Sequence, residues 1–261
     1  MTLAKNDFRI TGDFQVLNVV KFTLFVLFTL PFWPALVFAS KTPTISLHYM
    51  DRPPYAVTGS NGQPTGVVAS PAEKVFKIAK VPFVWMRTPV NRQFATIKEN
   101  KGFDCALGFE KTTERAEFGK FTETIYTGQP LVALINPRIK VKNGVTLTEM
   151  LSKYNILVKE NLTQGDELTR IISQSPNRIL TSVESVQMVQ MIAHGHADFM
   201  MISNEEVDYF LKHGILDSKD IRVLALPDVK RRFNRRIMCS KSVDDKIITK
   251  LDKAIAKLNH L

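Results

Sequence analysis

What this 261-residue chain has little of narrows its chemistry first. It holds only two cysteines and five histidines. No histidine lies at ligand spacing from either cysteine. His194 and His196 flank Gly195 without a third partner, and they read as turn residues at a helix end. A zinc site needs more ligands than that. No segment carries the glycine pattern of a phosphate loop or a dinucleotide fingerprint, and no nucleophile elbow is present. Neither a cofactor nor a metal is therefore expected. Zinc-finger spacing, RNP motifs and a basic zipper are missing as well, which sets nucleic acid aside as a partner. That exclusion matters because Lys and Arg number 35 against 25 Asp and Glu, for a net charge of +10. The one dense basic run, Lys230-Arg231-Arg232-Phe233-Asn234-Arg235-Arg236, is short and reads as a solvated segment linking two parts of the fold. The remaining excess of positive charge favours an acidic ligand or a membrane surface.

Long apolar runs are also scarce, and the single one lies near the start. Lys21 precedes Phe22–Val37, and Val37-Phe38-Ala39 supplies a small-residue cleavage signal. The pattern reads as a secretory signal peptide over residues 1–39, with an uncleaved anchor as the alternative; Pro31 and Pro34 interrupt the run. Export places the two cysteines, Cys105 and Cys239, in an oxidising compartment, where an even count permits a disulfide.

Beyond residue 40 the hydrophobic pattern alternates between strand and helix periods. Thr44–Tyr49 reads as a first strand, and Gly59–Pro64 as a hairpin-like excursion. Ser70-Pro71-Ala72-Glu73 reads as a helix start in which Ser70 caps and Glu73 completes a capping box. A strand at Phe83–Met86, a helix across Arg92–Asn100 and a buried strand at Asp104–Gly108 follow. This alternation implies a parallel sheet with helices on its faces. The plan restarts after an extended passage at Tyr126–Ile135. Thr146-Leu147-Thr148-Glu149 is a second capping box, Ser182–Ser185 opens a helix that Gly195 ends, and Asp198–Ile202 is a strand before a helix at Glu205–Lys212. A strand at Arg236–Ser240 and an amphipathic helix at Val243–Leu258 complete the α/β pattern.

Several of these segments resemble one family. Pro53-Pro54-Tyr55, Gly62-Gln63-Pro64-Thr65-Gly66 and Ala72-Glu73 resemble the opening of family 3 extracellular solute-binding proteins of the polar amino acid type. Asp104-Cys105-Ala106-Leu107-Gly108, Thr112-Thr113-Glu114-Arg115 and Phe121–Tyr126 resemble that family's buried strand, its T-x-x-R turn and the segment after it. Ala193–Asp198 resembles a further pattern of the family. Pro89-Val90-Asn91-Arg92 and the cysteine in the third strand suit a poorly characterised branch. The resemblance implies the type II periplasmic-binding-protein fold, with two lobes, each a mixed sheet flanked by helices, and two hinge crossings. It places 40–126 plus 229–261 in lobe 1 and 127–228 in lobe 2, with crossings near Tyr126–Gln129 and Leu226–Val229. It also sets the returning strand beside the third strand of lobe 1, and so Cys239 next to Cys105 in a disulfide.

The same resemblance implies a ligand site. Arg115 matches the arginine that grips a carboxylate through two parallel hydrogen bonds, and backbone amides near Thr112 add to the anion site. Tyr55 and Tyr49 are candidates to stack on the ligand, and Arg92 is a candidate second anion contact. Glu110 stands where small hydroxyl residues are common, so it either pairs with Arg115 or takes a ligand amine. In the second lobe Asn161 and Thr163 are candidate donors. The family's distal acid falls at Ser203 or Asn204, with Glu205 as its shifted replacement. The implied function is a periplasmic binding protein, monomeric, that closes on a small polar ligand with a carboxylate, amino acid-like, for a membrane transporter or a sensor. A lyase of the cyclohexadienyl dehydratase kind, using Glu110 or Glu205, is the alternative, and a sensor partner without small-ligand binding is a third reading.

Overall fold

The computed structural model describes residues 42–160, 164–230 and 232–259. The segment read as a signal peptide, and the candidates Asn161 and Thr163, lie outside the described residues. The first stretch holds β1 (Ile45–Tyr49), the small hairpin β2 (Val57–Thr58) and β3 (Pro64–Thr65), α1 (Ala69–Ala79), β4 (Phe83–Arg87), α2 (Val90–Glu99), β5 (Asp104–Phe109), α3 (Thr113–Phe118) and β6 (Gly119–Phe121). β7 (Tyr126–Ile135) leads into α4 (Leu147–Lys153), β8 (Ile156–Lys159), α5 (Asp166–Ser173), β9 (Arg178–Thr181), α6 (Ser185–His194), β10 (Phe199–Ser203), α7 (Asn204–Lys212) and β11 (Arg222–Leu224). β12 (Arg232–Ser240) and α8 (Asp245–Asn259) follow.

Apart from the hairpin, the strands join in the order β4-β1-β5-β12-β7-β10-β8-β9, with β11 beside β7 and β6 beside β12. β4, β1 and β5 run parallel, as do β10, β8 and β9. β7 and β12 are the long antiparallel strands between these two parallel sets. The first part of β7 pairs with the first part of β12, and its second part pairs with β10 and β11. The second part of β12 turns to β5 and β6. Each half of the molecule thus has its own mixed sheet, and β7 and β12 are the two crossings. This is the type II binding-protein architecture that the resemblance implied.

The apolar side chains divide in the same way. Ile45, Leu47, Phe76, Ile237 and Leu251 belong to one core, which draws on both the early strands and α8. Leu131, Met150, Phe199 and Phe233 form a second core, and Leu134, Val189 and Phe210 a third on the other face of the second sheet. Phe76, Phe199 and Phe210 are wholly buried, and each such ring contributes about 1.5–3 kcal/mol of transfer free energy.

Three local expectations need correction. α1 starts at Ala69, with Ser70 inside it and no side-chain cap. The amides of Val67, Val68 and Ala69 are instead taken by the carbonyls of Pro54 and Tyr55, so the preceding loop does the work of the cap. Glu73 turns to Lys77 at 2.7 Å rather than back to the helix start. α6 begins at Ser185 rather than near Ser182, with Glu184 at its N-cap. The basic run does link the two parts, but as a paired strand and not as a wholly solvated segment, since Phe233 is buried and Arg235 and Arg236 are half-buried. It enters β12, where Arg232, Arg235 and Arg236 donate to the carbonyls of Gly128, Gly108 and Thr122. A guanidinium has more donors than a strand edge has acceptors, so basic side chains here serve as cross-strand ties. By contrast the Thr146/Glu149 capping box forms as expected, and Gly195 ends α6 in the left-handed conformation, with φ 80.

Cys105 of β5 lies directly opposite Cys239 of β12, and the two are joined in a disulfide. The bond sits wholly inside the first core.

Candidate functional site

In open α/β sheets ligands bind beyond the carboxyl ends of the strands. Here the ends of β1 and β5 release the chain into two loops, and with Arg115 and Arg235 these loops line an inner cavity. Tyr49 ends β1 and is followed by Arg52 and Tyr55 of the first loop, and Gly108 and Phe109 end β5 and lead to Glu110 of the second. A wider groove lies on the other side of Arg115 and faces Lys159, Asp166 and Arg170.

Arg115 stands between the two because of local helix physics. Thr112 caps α3, its hydroxyl accepting from the Arg115 amide at 3.2 Å. One turn of helix then carries the guanidinium back over β5. Its Nη1 donates to the Glu110 carbonyl at 3.1 Å, and its carbon lies 4.8 Å from the Phe94 ring and 5.3 Å from the Phe109 ring. The residue is 6% exposed. Burial lowers Arg115 to about 10, opposed by the nearby Glu110 and Glu114 carboxylates, so the group is charged at neutral pH. A buried cation held on one side by rings and a carbonyl has donors left for an incoming anion.

The first loop is shaped by a close approach at Gly66. With φ +138, a Cβ there would sit 2.5 Å from the carbonyl oxygens of Pro54 and Tyr55, so only glycine fits. This contact presses Tyr55 against the start of α1 and aims its side chain across the molecule. Its hydroxyl donates to Ser203 Oγ at 2.6 Å. Burial raises the Tyr55 phenol, aided by Glu206 and opposed by Arg235 and Arg52, so it stays a donor.

Arg52 makes the second connection across the cleft. Its Nε and Nη2 donate to the two oxygens of Glu206 at 2.8 and 2.9 Å. Glu206 is wholly buried. Burial alone lowers the Arg52 guanidinium, but the facing Glu206 carboxylate more than offsets that, and the net direction is up. Ser203 is the N-cap of α7 and accepts from the Glu206 amide at 3.3 Å. Its single proton goes to Glu206 Oε2 at 3.0 Å. The tyrosine ring completes the arrangement, with Arg52 5.1 Å and Arg235 4.7 Å from its centroid.

The candidate residues fare differently. Arg115, Tyr55, Tyr49 and Glu110 are brought together around the inner cavity. Tyr49 is buried, with its hydroxyl 3.1 Å from Thr58 Oγ1 and its ring edge-on to Trp85. Thr112 is spent on capping α3 and borders the outer groove. Arg92 is exposed on α2 and lines neither space. Glu205 points away from both; it accepts from Tyr126 Oη at 2.9 Å and from the Gln129 amide at 2.7 Å. The acid that does reach the cleft is its neighbour Glu206. The spacing Ser203-x-x-Glu206 is that of a capping box and was a readable signal. Arg52 and Arg235 were also missed, the one hidden before a proline pair and the other inside the basic run. Lys159, 5% exposed and tied to Glu184 at 2.9 Å, is a further buried cation at the groove.

Among the described residues no three His, Cys, Asp or Glu are grouped to hold a metal ion, and no helix is long and apolar enough to cross a membrane.

The fold and the cleft define a two-lobed binding protein of type II. The model of the bacterial extracellular solute-binding proteins, family 3, matches residues 47–260, and the chain belongs to that family. No curated protein matches it. Among solved structures it is similar to the arginine-, lysine-, histidine-binding protein ArtJ of Geobacillus stearothermophilus, at 16% identity and TM-score 0.68, over 83% of this chain and 89% of the other. A histidine kinase sensor domain with similarity to periplasmic binding proteins aligns at 15% identity and TM-score 0.67, covering 83% and 90%. The substrate-binding protein of an amino acid ABC transporter aligns at 15% identity and TM-score 0.63, covering 83% and 93%. At such identities the likeness is one of fold.

Proposed function

We propose that this chain is an exported, periplasmic solute-binding protein that closes on a small polar ligand through the ligand's carboxylate. It delivers that ligand to a membrane transporter or reports it to a sensor, and it acts as a monomer. The observation that carries the reading is the Arg115 guanidinium, buried and charged at the boundary of the inner cavity and the outer groove. The lobes pivot on β7 and β12, with 40–126 plus 229–261 on one side and 127–228 on the other. Opening swings Arg115 away from Lys159 and Asp166 and admits solute; closing excludes water and strengthens the charge pairing.

Binding without turnover is the better reading than catalysis. A lyase needs a carboxyl poised to move a proton in the cleft. Of the two candidate acids, Glu205 is held against Tyr126 and Gln129 outside it, and Glu110, which does line the cavity, lies beside the Arg115 cation that favours its ionised, proton-free form. Transport is supported by the family and by the likeness to a transporter's binding protein, and sensing by the likeness to a kinase sensor domain.

Calorimetric titration of the exported protein with small carboxylates tests this. Arg115→Ala is expected to lower affinity by about 100-fold or more, since truncating one partner of a buried charge pair costs several kcal/mol. Arg115→Lys keeps the charge, loses the planar fork and falls between. Unchanged affinity in Arg115→Ala would refute the site.

A further inference from the structure

The acid that crosses the cleft is already paired within the protein. Glu206 accepts two hydrogen bonds from Arg52 and one from Ser203 Oγ, and none of its surface is exposed. Ser203 has given its only proton to that carboxylate, and so receives from Tyr55. Arg52 lies against the Tyr55 ring, which closes a loop of four side chains across the two halves. A cation brought by a ligand would have to compete with Arg52 for the Glu206 carboxylate.

The inner cavity tells the same story in charge. Its charged lining is Arg52, Arg115, Arg235 and Glu110, three cations to one acid. Glu206 neutralises Arg52 from behind, and Glu110 lies in the field of Arg115. Among the described residues no carboxylate forms an ion pair with Arg235. Its Nη1 makes a 3.3 Å bond to the Gly108 carbonyl, and its Nε is buried without a hydrogen-bond partner among the described residues. A buried guanidinium nitrogen without an acceptor is costly, and an anion at the cavity supplies one.

We infer that the ligand is a small carboxylate without an ammonium group, because Arg52 occupies the cation subsite and Arg235 joins Arg115 in facing the ligand with positive charge. This deepens the carboxylate reading and rests on it. An ammonium entering the cavity meets three guanidinium groups, finds Glu206 paired with Arg52, and has only Glu110, itself beside Arg115, as counter-charge, which is discrimination by charge.

The test is calorimetry of the exported protein with matched acids that differ only in the amine: glutarate and L-glutamate, succinate and L-aspartate, propionate and L-alanine. The amine-free member of the pair that binds most tightly is expected to bind at least about tenfold better than its amino acid. An amino acid that binds as well as, or better than, its amine-free match in that pair overturns the inference while leaving the carboxylate reading standing. Binding by neither member of any pair sinks the carboxylate reading and the inference with it. Arg52→Gln frees Glu206 to accept a cation, so in that variant the ratio of affinities is expected to move toward the amino acid by about tenfold. An unmoved ratio in a folded Arg52→Gln protein overturns the assignment of Arg52 to the cation subsite. The wild-type ratios decide the ligand class without any variant.

Discussion

Breaking the Cys105–Cys239 bond tests the architecture at its covalent tie. The two residues are 134 positions apart, and the segment between them contains the second sheet with its helices. β5 and β12 are already paired at that point, so the bond adds little order to the native state. Its main effect falls on the unfolded chain, where it removes the freedom of a long loop. Chain-entropy arithmetic for a loop of that length gives about 5 kcal/mol. For a domain of this size each kcal/mol shifts the melting temperature by about 2–4 °C, so the reduced protein should melt about 10–20 °C lower. The assay is scanning calorimetry of oxidised protein and of protein unfolded, reduced and refolded under reductant, which keeps both sulfur atoms in the core. Because neither cysteine is exposed, reductant added to the native protein should act only as fast as the core opens. Melting curves that coincide within about 2 °C would refute the loop-closure argument.

Two further outcomes follow from the buried charges. Glu206→Gln leaves the half-buried Arg52 without its counter-ion and should cost about 2–4 kcal/mol in urea unfolding, and removing Arg52 as well should recover part of it; additive losses would show that the pair is not coupled. Burial, followed by the hydrogen bond to Glu205, pushes the Tyr126 phenol up to about 12 from an unfolded value of 10.0. The neutral form is therefore favoured by folding. That contribution is complete below pH 10 and is lost as pH rises toward 12. Tyrosinate absorbance in Glu205→Gln should show this phenol ionising at lower pH than in the wild type, and an unchanged titration would remove Glu205 as a cause.

Much of the framework was legible because it is periodic. The strand at Thr44–Tyr49, the helix at Val243–Leu258 and the Thr146/Glu149 box each depend on residues close in sequence, and local rules read them. Arg115 was legible through the resemblance, on its T-x-x-R turn, and the structure adds that Thr112 caps that turn and so fixes where the side chain goes. α1 was misjudged at its start because its first amides are satisfied by Pro54 and Tyr55, a loop whose approach depends on Gly66. The basic run was rightly read as a link, but its solvation was overstated because charge density suggests solvent, whereas β12 lies between β5 and β7 and gives its arginines carbonyl partners on both sides.

The sequence by itself determined the alternation of strands and helices and the cap at Thr146 and Glu149. These follow from apolar spacing and capping within short stretches of chain. Only the tertiary structure decided that Arg52 meets Glu206, 154 residues away, and that Glu205 beside it faces the crossing strands instead. On a helix, neighbouring side chains diverge by roughly a hundred degrees, so which of two adjacent acids enters the cleft depends on how α7 is seated against the sheet. That seating is set by packing between distant segments, and the charge left over for a ligand depends on it.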